Sequence, residues 1–159
     1  MADKRSPRQK STATGIQLVP LEAGHIPAII EIEKQSNSSP WSERSFVNEL
    51  DHPYGVFLVA VADGRIVGFG GVWIMIDEAH VTTVAVSPDH RRRGIGKRIV
   101  SALLDAAQAR GTTCATLEVR ASNTAAIGLY EDLGFVRSAV RKRYYPDNRE
   151  DAVVMWKHD

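Results

Sequence analysis

Apolar residues change period along this chain, and the changes mark its elements. Ile26, Ile29 and Ile30 recur at helical spacing through Lys34, with Glu33 expected outward. Ile99, Val100, Leu103, Leu104 and Ala107 do the same between Lys97 and Arg110. A further helix is predicted from Ser42 to about Asp51, after the breaker Asn37-Ser38-Ser39-Pro40. Short β-branched runs predict strands at Ile16–Pro20, Val56–Ala62, Arg65–Ile76, Val81–Val86, Thr113–Val119, Phe135–Tyr144 and Ala152–Trp156. Asp63-Gly64 reads as a tight hairpin turn. Gly68, Gly70 and Gly71 point to a bulge or a close backbone approach. Arg110-Gly111 and Gly134 read as helix stops, and Asn123 as the cap of a short helix through Leu133. The order is β-α-α-β-β-β-α-β-α-β-β, an α+β fold with a mixed sheet.

Candidate chemistry begins between the fourth strand and the third helix. Val84-Ala85-Val86 closes the strand, Ser87-Pro88 stops it, and Arg91-Arg92-Arg93-Gly94-Ile95-Gly96-Lys97 follows. Bare glycines let a ligand approach the backbone, and the first N–H groups of a helix lack internal partners, so such a place attracts phosphate. A solvated arginine run at a helix start reads the same way. The nucleotide loops with fixed spacing do not fit. Gly94 and Gly96 are too close for a P-loop, Arg98 stands where its hydroxyl belongs, and Ile99 stands where a dinucleotide fingerprint has its third glycine.

A length of 159 residues, 43% of them hydrophobic and 25% charged, suits one globular domain with one core. Residues 1–14 are basic and polar and read as a disordered tail preceding a domain at 15–159. A net charge of +1 gives no reason to expect direct nucleic-acid binding. The single cysteine, Cys114, excludes an internal disulfide and is expected as an inert buried thiol. The histidines are scattered, so no metal is expected. No apolar run approaches the roughly 20 residues needed to cross a bilayer, and no signal-peptide core is present, so a cytoplasmic location, no membrane partner and a monomer are the expectations.

The pattern Arg91-x-x-Gly94-x-Gly96 after a strand resembles the acyl-CoA loop of the GCN5-related N-acetyltransferases (GNAT). Asn123-x-x-Ala126-x-x-Leu129-Tyr130-x-x-x-Gly134-Phe135 resembles the closing half of that family's signature. Pro40-Trp41-Ser42-Glu43, Leu117 through Asn123, Arg143-Tyr144-Tyr145-Pro146 and Arg149-Glu150-Asp151-Ala152 resemble its bacterial ribosomal-protein-alanine N-acetyltransferase (RimI) type. The resemblance implies a GNAT fold, with about seven strands flanked by about four helices, and acetyl-CoA as co-substrate. It implies that Val84, Ala85 and Val86 bond the pantetheine arm, and that the loop from Arg91 through Arg92, Arg93, Gly94, Ile95 and Gly96 to Lys97 holds the pyrophosphate. It further implies coenzyme contacts from Asn123 and Tyr130.

Spacing alone reads Glu118 as a solvated strand carboxylate and Tyr130 as core packing. The resemblance instead implies Glu118 as general base and Tyr130 as general acid. Acceptor contacts are expected from Trp41, Tyr144 and Tyr145, with Asp77 and Glu78 near the same end. Arg141-Lys142-Arg143 reads as a solvated strand edge.

Making an amide from a thioester needs an uncharged amine. An α-amine titrates near 7.7–8.0 and a lysine near 10.4, a gap of roughly 2.5 units or about 3.4 kcal/mol, so a modest base suits an N-terminal amine better. A carboxylate near 4.3 must be desolvated or act through water to serve as that base, and a phenol near 10 is available to the departing thiolate. The implied acceptor is the N-terminal alanine of a small-subunit ribosomal protein. The alternatives are protein lysines, a small amine, or acyl-CoA binding without turnover.

Overall fold

The computed structural model describes residues 15–159; the expected tail at 1–14 lies outside them. Seven strands form one sheet: β1 Gln17–Pro20, β2 Gly55–Ala62, β3 Arg65–Met75, β4 Glu78–Val86, β5 Cys114–Arg120, β6 Val136–Arg141 and β7 Ala152–His158. The helices are α1 Ile26–Ser36, α2 Glu43–Glu49, α3 Ile95–Ala109 and α4 Thr124–Asp132, with 3-10 turns at Ala23–His25 and Pro88–His90. Element order agrees with the hydrophobic pattern. Strand order is β1-β2-β3-β4-β5-β7-β6, antiparallel throughout except between β4 and β5.

Each face of the sheet is covered by one pair of helices. Ile95, Ile99, Val100, Leu103 and Ala107 of α3 pack with Ile127 and Tyr130 of α4 onto Val67, Val72, Val81, Leu117 and Met155. On the other face Ile26, Ile29 and Ile32 of α1 join Phe46 of α2 over Phe57, Phe69 and Ala85. Phe46 meets Phe57 and Phe69 edge-on at 6.1 and 5.6 Å, geometry that aromatic quadrupoles favour. The pair α1 and α2 lies over β2–β4.

The turn signals hold. Asp63 and Gly64 have φ of 54° and 75°, the paired positive values of a type I′ hairpin. Gly111 and Gly134 end α3 and α4 at φ of 104° and 99°. Ser42 caps α2 by accepting the Ser45 N–H at 3.2 Å, and Asn123 caps α4 by accepting that of Ala126 at 3.1 Å.

Four expectations need correction. Glu33 is not outward but 1% exposed. Its carboxylate accepts the Trp41 N–H at 2.9 Å and the Asn37 amide at 3.2 Å, and burial pushes its pKa up. Cys114 is half-buried rather than buried, with its thiol pKa raised by desolvation and then by Glu78 and Asp77. The third helix starts at Ile95, not Lys97, so the second glycine of the loop is already helical. Strand β6 is shorter than expected, because Lys142 onward turns into a loop tied elsewhere.

Candidate active site

The parallel ladder between β4 and β5 has three rungs, Glu78↔Cys114, Ala79↔Ala115 and His80↔Thr116, and then stops. Both strands continue, β4 to Val86 and β5 to Arg120, so they part within the sheet. A bulge in β4 sits beside this opening. Gly71 pairs with Thr83 but Val72 with Val81, leaving Thr82 as the extra residue. The insertion keeps Val81 and Val84 toward the α3 side and His80 and Ala85 toward the other.

Past the bulge, β4 offers one backbone edge to the opening. Ser87 N–H donates to the Val67 carbonyl at 2.8 Å, and Ala85 pairs with Phe69, so these residues address β3. By strand alternation, Val84 and Val86 address the opposite side, where β5 has left the ladder. Such an edge accepts an extended, amide-bearing chain as a further strand would.

The opening leads to the loop after β4. Arg92 and Gly94 have φ of 65° and 79°, a tight course that brings the chain onto α3. Gly94 is the N-cap and supplies no side-chain cap, and the first backbone bond within the helix is Arg98 N–H to Gly94 carbonyl at 3.1 Å. The Ile95, Gly96 and Lys97 N–H groups therefore have no acceptor within the helix, at the positive end of its 15 residues. The Ile95 side chain is core, so only its amide is available to a ligand. Gly96 is buried for packing: a Cβ there would stand 3.0 Å from Leu129 Cδ1 of α4. The Arg91 guanidinium is engaged within the chain, donating to the Val86 carbonyl and to Ser36 Oγ, both at 3.0 Å. It braces the loop against the end of α1.

Glu118 lies on the other wall, 16% exposed, its Oε1 2.9 Å from His80 Nε2 and its Oε2 3.9 Å from Arg141 Nε. His80, missed in the sequence, sits on the last rung before the strands part. Tyr145 completes the wall. Arg120 lies 4.0 Å over its ring and reaches Asp147 at 2.9 Å, Asn148 at 3.2 Å and Glu150 at 3.4 Å. Ser38 Oγ donates to Asp147 at 2.6 Å, joining the α1–α2 loop to the β6–β7 loop across the cleft. Hydrogen bonds from Ser38 and then Arg120 hold the Asp147 carboxyl below the usual range; those from Ser122 do the same for Glu150.

Tyr130 is 8% exposed and packs edge-on against Phe135 at 5.7 Å. Burial, with a smaller contribution from Tyr145, pushes its pKa up to about 12. Tyr145 is likewise raised to about 12 by burial, against the lowering effect of Arg120. Trp41 is half-buried, its ring 5.3 Å from that of Phe46 and its backbone N–H fixed by Glu33. Tyr144, 5.1 Å from Tyr145, is exposed beside Arg141. Asn123 uses its side-chain oxygen as a helix cap at the end of the same β5–α4 turn. Asp77 and Glu78 do not join this end. Glu78 pairs with Cys114, six residues along β5 from Arg120, roughly 20 Å at the rise of a strand. Among the described residues no three His, Cys, Asp or Glu side chains converge as metal ligands do, and no helix is long and apolar enough to cross a membrane.

Comparison with known proteins accords with this geometry. The Acetyltransferase (GNAT) family profile matches residues 26–135, more than half of the chain. The [ribosomal protein bS18]-alanine N-acetyltransferase of Escherichia coli (strain K12) is 40% identical over 137 residues, covering 85% of this chain and 92% of that protein. The crystal structure of the ribosomal-protein-S18-alanine N-acetyltransferase from Escherichia coli superposes with a TM-score of 0.82 at 36% identity, over 90% of this chain and 93% of that one. Arabidopsis thaliana NAA60 in complex with acetyl-CoA shares the fold, with a TM-score of 0.83 at 17% identity over 90% of this chain and 98% of that one. The parted strands, the open helix start and these likenesses have one conclusion: the chain belongs to the acetyltransferase (GNAT) family.

Proposed function

We propose that this protein transfers the acetyl group of acetyl-CoA to the α-amino group of the N-terminal alanine of a small-subunit ribosomal protein, bS18 being the one named for its relatives. The observation that carries the reading is the β4 edge at Val84 and Val86, running from the Glu118 wall to the amides of Ile95, Gly96 and Lys97 that lack an intrahelical partner. Beyond His80 that edge has no partner strand on the β5 side, and its Val86 carbonyl is taken by Arg91. An extended thioester arm with a diphosphate at its far end matches that edge and that helix start. Arg92 and Lys97, exposed around the loop, add positive charge.

Each wall then has a task. The carboxylate of Glu118 draws the incoming ammonium and anchors removal of its proton. The β4 N–H groups facing the gap supply donors for the thioester oxygen as it gains charge. Tyr130, at about 12, stays a phenol across the working range. A thiol titrates near 8.5, so complete transfer of the phenol proton to the departing sulfur is uphill by about 3.5 units. Tyr130 therefore acts by donating a hydrogen bond to the developing thiolate. Trp41, Tyr144 and Tyr145 line the cleft where the first residues of a peptide enter.

Three acceptors test this with acetyl-CoA and the full chain: a peptide beginning with alanine, an N-blocked peptide containing lysine, and a polyamine. Preferential acetylation of the first is the expected result. Preference for either of the others assigns a different acceptor and refutes the proposal.

A further inference from the structure

We infer that His80 is the proton acceptor for the incoming amine and that Glu118 orients and charge-balances it. This deepens the acetyl-transfer reading above and rests on it.

His80 sits on the last rung of the ladder, opposite Thr116, and its Nε2 reaches diagonally to Oε1 of Glu118, two residues further along β5, at 2.9 Å. With the carboxylate ionised, the favourable arrangement puts the proton on Nε2, donating to Oε1. The ring's second nitrogen, Nδ1, then carries a lone pair. No hydrogen-bond partner for Nδ1 is found among the described residues, and it is not among the buried polar atoms that lack one, so it is open to solvent. The side chain is 27% exposed, on the face that carries Glu118 and away from α3 and α4. Arg141 of β6 lies 3.9 Å from the other Glu118 oxygen, and Tyr145 of the β6–β7 loop is near Glu118. On the β3 side Trp73, the register partner of His80, donates its indole N–H to the buried Glu49 carboxylate of α2 at 3.0 Å.

Chemistry favours the imidazole. As classes, carboxylates titrate about 3.5 units below an α-ammonium and imidazoles only about 1.3 below. A carboxylate behind an imidazole fixes its tautomer and steadies the cation that forms. In the step proposed, the ammonium gives one proton to Nδ1, and the freed nitrogen pair attacks the thioester carbon. The C–N bond forms and the C–S bond breaks, its electrons leaving on sulfur. The second proton lost by the nitrogen neutralises that sulfur, while Tyr130 hydrogen-bonds it. The imidazolium then releases its proton to water. The net result is an amide, a free thiol and one proton.

The test uses the full chain with an alanine-starting peptide at saturating acetyl-CoA. His80→Gln keeps a donor for Glu118 but accepts no proton. The expected result is a fall in kcat of roughly a hundredfold or more, with peptide KM and CoA affinity unchanged and the acid limb of kcat against pH altered. The double variant with Glu118→Gln falls little further, because the two act as a unit. Activity of His80→Gln within threefold of the parent overturns the inference, since a merely positioning role survives that change. If the glutamine variant binds CoA poorly, His80→Ala at saturating CoA decides. Added imidazole restoring the rate in proportion to its free base supports the assignment, and no restoration overturns it. A parent enzyme inactive on the alanine peptide instead refutes the acceptor proposed above, a result separate from any effect at His80.

Discussion

Gly70 of β3 and Ile99 of α3 meet with no room between them: a Cβ on Gly70 would stand 2.7 Å from Ile99 Cγ2 and 3.0 Å from Leu103 Cδ1. The missing side chain lets α3 lie close to the sheet, and the placement of α3 fixes where its open N-terminus points. The branched Cγ2 of Ile99, fully buried, has nowhere to retreat.

Gly70→Ala is accordingly expected to destabilise the fold by about 1–3 kcal/mol through overpacking. Denaturant unfolding of the two proteins measures it. An unchanged midpoint would show that α3 shifts freely, contrary to its tight seat.

Arg120 gathers the β6–β7 loop. Replacing it by methionine removes the contacts to Asp147, Asn148 and Glu150 and the cation over Tyr145. Peptide KM should rise roughly tenfold, equal to about 1.4 kcal/mol, while acetyl-CoA KM holds. Steady-state kinetics with each substrate varied in turn separates the two. The same loop weakens in acid. Asp147 and Glu150 have folded pKa values below their ordinary ones, so their contribution is complete above the unfolded values and is lost as pH falls through the folded ones.

Tyr130 makes the opposite prediction at high pH. Its folded pKa, about 12, exceeds the ordinary value of 10, so its contribution is complete below pH 10 and is lost as pH rises toward 12. Two units correspond to on the order of 2–3 kcal/mol for this buried phenol. Tyr130→Phe should flatten that part of the stability curve, leaving the parallel effect of Tyr145, and slow transfer by roughly a hundredfold at neutral pH. Stability of both proteins against pH, with turnover at pH 7, checks both statements.

The frame was legible because periodicity and turn chemistry are local. Asp63-Gly64, Gly111 and Gly134 announce their own conformations, and the isoleucines of α1 and α3 their faces. The contacts of the site are not local. His80 and Glu118 are separated by 38 residues and meet only because β4 and β5 run parallel in one register. Alternation offered a partial signal: Ala79 and Val81 point inward, as do Leu117 and Val119, so His80 and Glu118 share the other face. Glu33 broke the outward expectation for a similar reason. What buries it is the returning backbone at Trp41, eight residues on, a partner that helical spacing does not reveal.

Backbone amide chemical shifts of the full chain, recorded as coenzyme A is added, test the central claim most directly. The account predicts that the largest changes fall on Ile95, Gly96 and Lys97 at the helix start and on Val84 and Val86 along the open strand edge. Saturating coenzyme A that leaves those five amides unmoved would contradict it.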